Sequence, residues 1–268
     1  MDEGEVTERG AHHVQSLERG LAVIKAFNAD AAELTLSDVA RSTGLTRAAA
    51  RRFLLTLVDL GYVRTDGKYF SLTARVLELG YSYLSSMSLP EVAQPHLERL
   101  SAEVHESSSV SVLEGPDIVY VARVAVSRIM TVSINVGTRF PAHATSMGHV
   151  LLANLEDADL RDYLDGAKLD KLTARTMSRP EELLAELTKV HQQGYAMVDQ
   201  ELEEGLRSIA APIRDRRGRV VAAVNLSTHA SRTTPESVES ELLPSLLTAA
   251  RAIEADLASA PPSKASHG

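Results

Sequence analysis

Arg47, Arg51 and Arg52 set the first chemical expectation. They stand in TRAAARRFLLTLVDLG, where Ala49, Ala50, Phe53, Leu57 and Leu60 share one helical face at about 100° per residue. Arg47, Ala48, Arg51 and, toward the flank, Arg52 lie away from that face. A guanidinium is a planar fork of donors that matches guanine O6 and N7, or a phosphate. Three of them beside one small side chain, at the start of a helix, suit a major groove. The bland alternative is a solvated basic face.

A second set of groups could hold a small anion. The stretch GTRFPAHATSMG reads as a strand–loop–helix junction, and backbone N–H groups near Thr145, Ser146 and Met147 point outward at the helix start. A carboxylate fits there; an ordinary helix cap is the alternative. In AAVNLS, Asn225 and Ser227 alternate, so both face one side of their strand, either exposed or placed for a ligand. Arg123, Arg128 and Arg139 are the nearby cations that could pair with an acid.

Catalysis and metal binding find little support. His143 and His149 are six apart across a junction, which is no metal-ligand spacing, and no metal or cofactor is expected. Residue 144 is Ala, so Ser146 does not sit in a Gly-x-Ser-x-Gly nucleophile elbow. A triad of Ser146, His143 and Asp199 is conceivable, but no catalytic residue is assigned. The chain has no Cys, which excludes disulfides, thiolate zinc sites and cysteine nucleophiles.

The elements that must position these groups follow from local signals. Thr35 is an N-cap with Asp38 returning the hydrogen bond, and Leu36, Val39 and Ala40 form an apolar face. Gly44 turns the chain, Thr46 caps the arginine-bearing helix from Arg47 to Leu60, and Gly61 ends it. Tyr62-Val63-Arg64 and Lys68-Tyr69-Phe70 flank Asp66-Gly67, a two-residue hairpin signal. Such a hairpin is a wing, from which Arg64 and Lys68 reach phosphate. Upstream, Ser16 caps a helix from Glu18 to Phe27 with Leu17, Leu21, Ile24 and Phe27 on its buried side.

Downstream, Thr73 opens a helix over residues 74–86 that is apolar on more than one face and needs a partner, the simplest being its own copy. Pro90 marks a boundary. Beyond it, helices alternate with β-rich runs: SSSVSVLEG, DIVYVARV, IMTVSINV, YAMVDQ, LRSIAAPIRD and GRVVAAVNLSTH. The last helix, PESVESELLPSLLTAARAIEADLAS, is interrupted near Pro244. The pattern predicts an α+β domain around an antiparallel sheet.

Length and charge agree. At 268 residues there is room for two domains. Seven Arg/Lys against three Asp between residues 37 and 75 leave +4 there, in a chain of net −8. A basic island in an acidic body fits local duplex binding. No apolar run reaches about 18 residues, and the acidic start MDEGEVTERGAHH is no signal peptide, so a cytoplasmic location and no membrane contact are expected.

The order SLERGLAVIKAF, LTLSDVARSTGLT, RRFLLTLVDLGYV, YFSLTARVLELGYSYLSS resembles the IclR-type winged-helix regulators. The likeness runs from about Ser16 to about Leu257 and is strongest to the subgroup controlling aromatic-acid catabolism through the β-ketoadipate pathway. One departure is Ala48-Ala49, where many members carry Ser-Thr. The resemblance implies an N-terminal winged helix-turn-helix (15–72), a linker helix (73–89) and a GAF-like effector domain (90–258), with tails at 1–14 and 259–268. It implies a homodimer, alone or as a dimer of dimers, on palindromic double-stranded DNA, and a small aromatic or dicarboxylic acid effector. The segment from Gly137 to Gly148 is similar to the mouth of the family's pocket; Asp199, Leu206 and Ser208 match positions lining it, and Asn225 and Ser227 join them. The alternative is an enzyme acting on a small ester or acid, with the winged helix as an interaction module.

Overall fold

The computed structural model describes residues 13–28, 31–79, 88–126 and 134–259. The chain divides between Ser85 and Ser86 into two compact units, just ahead of Pro90. The expected tails lie almost wholly outside the described residues, as do Arg128 and residues 80–87 of the expected linker helix. No described helix is long and apolar enough to cross a membrane.

The first unit holds helices α1 (Gln15–Lys25), α2 (Leu36–Thr43) and α3 (Arg47–Asp59) and strands β1 (Leu34–Thr35), β2 (Val63–Thr65) and β3 (Tyr69–Leu72), ordered β1-β3-β2 and antiparallel. The capping box forms: Asp38 N–H donates to Thr35 Oγ1 at 3.3 Å, and Thr35 N–H to Asp38 Oδ2 at 3.1 Å. Gly44 takes φ 66°, and Thr46 Oγ1 accepts from Ala49 N–H at 3.2 Å. Val23, Phe27, Val39, Ala50, Leu54, Leu57, Val63 and Phe70 close the core.

Three local expectations change. α1 starts at Gln15 with Val14 as an uncapped N-cap; Val23 is buried while Leu17 and Leu21 are exposed, because only the C-terminal turns of α1 face the core. On α3 Leu54 is buried and Leu60 half exposed, since the helix ends at Asp59 and Leu60 lies in the turn to Gly61. The hairpin pairs Thr65 with Phe70, so its turn centres on Gly67-Lys68, one residue later than Asp66-Gly67. The Asp66 carboxylate causes the shift by accepting from the N–H groups of Lys68 (2.9 Å) and Tyr69 (2.7 Å). Thr73 caps a short helical turn at Ala74–Val76, and beyond it Leu77 and Leu79 are exposed.

The second unit is a six-stranded antiparallel sheet ordered β6-β5-β4-β9-β8-β7. The strands are β4 (Ser107–Glu114), β5 (Asp117–Val124), β6 (Arg139–Pro141), β7 (Ala196–Asp199), β8 (Leu206–Arg214) and β9 (Val220–His229). One face packs on α4 (Ser88–Val104) and α8 (Leu243–Ser259) through residues such as Leu97, Val110, Ile209, Leu226, Leu246 and Ile253. The other packs on α5 (Ser146–Leu152) and α7 (Pro180–Gln193) through Ile118, Met147, Leu152, Leu183 and Leu187, with α6 (Asp157–Gly166) beside them.

Of the expected strand at 129–136, residues 129–133 lie outside the described residues and Ile134–Val136 are irregular, whereas Arg139–Pro141 forms a short edge strand at the start of the strand–loop–helix junction. The interruption near Pro244 is a wider π turn at Val238–Leu242, placed where proline can donate no backbone hydrogen bond.

Candidate functional site

Two surfaces carry the groups singled out above. On α3, Arg47, Ala48, Arg51 and Arg52 are all exposed along one side, and the first turn holds no acid. On the hairpin, Arg64 Nε donates to Ser71 Oγ at 3.0 Å, which holds the side chain along the strand, and Lys68 Nζ lies 4.8 Å over the Tyr69 ring. Arg75, by contrast, serves the fold: Nη1 donates to Leu60 O at 3.0 Å and Nε to Glu78 at 3.3 Å.

Arg51→Ala is expected to weaken binding to a specific duplex site by about 1–3 kcal/mol and to relax the preference for one base pair. Equal losses on every sequence in a binding-site selection would instead make Arg51 a phosphate contact. Lys68→Ala should weaken all sequences alike and flatten the slope of log K against log salt by about 0.9; an unchanged slope removes the wing from the interface.

The second surface is a narrow, tightly packed cleft between the sheet and the start of α5. Sheet alternation builds its floor. Ser208 pairs with Ser227 across β8 and β9, Ser227 with Ser107 across β9 and β4, and Asn225 with Ser109 one step along. Paired residues share a face, so a row of small polar side chains points toward α5. Tyr120, Val198, Leu202 and Leu206 complete the apolar part, and Ala144, Thr145, Ser146 and Met147 form the roof. Asn225 Nδ2 donates to Ser227 Oγ at 3.1 Å and Ser111 Oγ to Met147 Sδ at 3.2 Å. Ser146 Oγ and Asn225 Oδ1 are buried without a hydrogen-bond partner. Buried polar atoms are normally satisfied, so these two mark a place suited to a polar ligand. Burial pushes the Tyr120 hydroxyl up to about 12, so it stays protonated.

The structure thus brings Ser146, Met147, Ser208, Asn225 and Ser227 together, and leaves Asp199 out. Asp199 pairs with Arg207 while its neighbour Val198 pairs with Ser208, so the carboxylate projects to the opposite face. There it accepts from Arg207 Nε at 2.9 Å and Nη2 at 2.7 Å, and from Arg175 Nη1. Arg139 is spent on Asp117 (3.1 Å) and the Glu114 carbonyl (2.7 Å) at the outer edge.

Nothing in the sequence reading singles out Tyr120, Leu202 or Ser109. The alternation of Ser107, Ser109 and Ser111 with Val110 and Val112 was the available signal for the serine row.

No hydrolytic set assembles. His143 Nε2 donates to Asp170 O (3.0 Å) and His149 Nε2 to His143 O (2.6 Å), so both rings hold backbone, and Asp199 is elsewhere. Burial pulls His149 down to about 4, leaving it neutral at neutral pH. Among the described residues no group of three or more His, Asp or Glu could hold a metal ion.

Comparison with known proteins identifies the family of both units. Residues 16–67 match the IclR helix-turn-helix domain, and residues 81–255 the bacterial transcriptional regulator IclR C-terminal domain. The chain is 50% identical over 237 residues to the Pca regulon regulatory protein of Pseudomonas putida, covering 88% of this chain and 81% of that one. A transcriptional regulator from Rhodococcus sp. RHA1 superimposes with a TM-score of 0.83 at 62% identity, over 91% of this chain and 98% of its own. An IclR homologue from Microbacterium hydrocarbonoxydans, solved with 4-hydroxybenzoate, reaches a TM-score of 0.80 at 29% identity, over 90% and 98%. With a helix-turn-helix unit and an effector unit that both match across most of their length, the chain belongs to the IclR family and is a DNA-binding transcription regulator, not an enzyme.

Proposed function

We propose that this regulator controls aromatic-acid catabolism of the β-ketoadipate type, binding a palindromic operator as a dimer and releasing or engaging it in response to a small aromatic acid. The observation that carries the reading is the cleft. It combines an apolar lining with buried polar atoms that lack partners, in a unit separate from the basic helix. The relative from Pseudomonas putida is named for the Pca regulon, and the Microbacterium homologue holds 4-hydroxybenzoate. Arg47, Ala48, Arg51 and Arg52 read the groove, with Arg64 and Lys68 on phosphate; Ser146, Met147, Ser208, Asn225 and Ser227 contact the effector. The exposed Leu77 and Leu79 after the wing support pairing of two copies. The protein works in the cytoplasm, where its DNA is.

Coupling requires only that the acid prefer one arrangement of the dimer, on a scale of about 1–3 kcal/mol. The test is operator titration by fluorescence anisotropy with and without 4-hydroxybenzoate or protocatechuate. The expected result is salt-sensitive, sequence-specific binding whose affinity one of these acids shifts about 5- to 150-fold. Binding indifferent to both acids would sink the aromatic-acid reading while leaving the DNA-binding role intact.

A further inference from the structure

We propose that Arg123 is the anchor for the effector's carboxylate, with Ser109 as the residue that positions it, so that the acid end of the ligand lies toward β5. The inference rests on the aromatic-acid reading above and names the group that would make the cleft select acids.

Arg123 pairs with Ser109 across β5 and β4, and Ser109 pairs with Asn225 across β4 and β9. The three stand in one row on the cleft face. Arg123 follows Tyr120, a cleft residue, along β5, and its charge acts on the Tyr120 hydroxyl. Its Nη1 donates to Ser109 Oγ at 3.1 Å, while its Nε is buried and has no partner. Nε and Nη2 form the side edge of a guanidinium, the edge that takes both oxygens of a carboxylate at once. Ser109 therefore holds the one nitrogen that this edge does not need.

Two other arginines of the sheet are excluded by their contacts. Arg139 and Arg207 are committed to acids of their own, and Arg207 leaves the sheet on the other face. Arg123 has no acid within ion-pair distance among the described residues. At the far side, Asn225 Oδ1 is an acceptor and would repel a carboxylate, whereas it suits a ring hydroxyl. Burial also lowers the Arg123 guanidinium from its ordinary value, a cost that an anion beside it would offset.

The experiment is calorimetry on the full chain with 4-hydroxybenzoate, protocatechuate and the primary amide of each, using wild type, Arg123→Gln, Arg123→Lys and Ser109→Ala. Wild type should bind at least one acid about 100-fold more tightly than its amide. Arg123→Gln should lose about 100-fold toward the acid and stay within about 3-fold toward the amide, so that the preference collapses. Retained amide binding shows that the variant is folded. Arg123→Lys keeps a charge but not the fork, and should recover only part of the preference; Ser109→Ala should fall between wild type and Arg123→Gln.

An acid preference that survives intact in Arg123→Gln overturns the assignment. If Arg123→Gln binds neither form, Arg123→Lys decides: selective loss of the acid supports the anchor, and wild-type behaviour overturns it. Wild type that binds none of the four compounds overturns the aromatic-acid reading itself and this inference with it, a result distinct from acid binding that ignores Arg123.

Discussion

Gly148→Ala is expected to unfold the effector unit or cost it more than about 4 kcal/mol, the range reserved for severe core damage. The reason is space. A Cβ at Gly148 would lie 2.0 Å from the carbonyl oxygen of Ala142 and 2.5 Å from its C and Cα atoms, all backbone. No rotamer relieves that overlap; either α5 or the turn at Ala142–Ala144 must move. Both are pinned. Gly148 N–H donates to Thr145 Oγ1 at 3.1 Å, His149 holds the His143 carbonyl, and every residue from Ala142 to Leu152 is buried. The same junction roofs the cleft, so acid binding should vanish with the fold. Urea unfolding followed by circular dichroism checks it, and a midpoint corresponding to less than about 1 kcal/mol of loss would show that the junction relaxes cheaply.

Asp199→Ala should cost about 3 kcal/mol of stability, through Arg207 rather than through the ligand. The Arg207 side chain is 7% exposed and gives Nε and Nη2 to Asp199 and Nη1 to the Thr233 carbonyl. Removing the carboxylate strands a buried guanidinium, which typically costs about 3–5 kcal/mol. Asp199 is 24% exposed, so the lower end applies. Replacing both partners, as in Asp199→Ala with Arg207→Met, should restore much of the loss because no unpaired charge remains. Thermal unfolding of the two variants, with acid binding measured beside it, separates the roles. A single variant with the wild-type melting temperature but no acid binding would put Asp199 back in the effector site.

Local chemistry alone determined a great deal here. Thr35, Asp38, Gly44 and Thr46 specify two capped helices and the turn between them, because capping and positive φ depend only on neighbours along the chain. The outward placement of Arg47, Arg51 and Arg52 follows from a 3.6-residue period, and the shared face of Asn225 and Ser227 from a period of two.

Tertiary structure decided which of those faces matter. Whether Val198 or Asp199 meets the cleft depends on how β7 registers against β8, and a one-residue slip would exchange them. Arg123 became distinct from Arg139 only when the strand order set it beside Ser109 and Asn225, the latter about a hundred residues away in sequence. Gly148 looked like any glycine near a helix start until the Ala142 carbonyl was placed against it. A periodicity tells a strand that it has two sides; only packing against α5 on one face and α4 and α8 on the other says which side is the site.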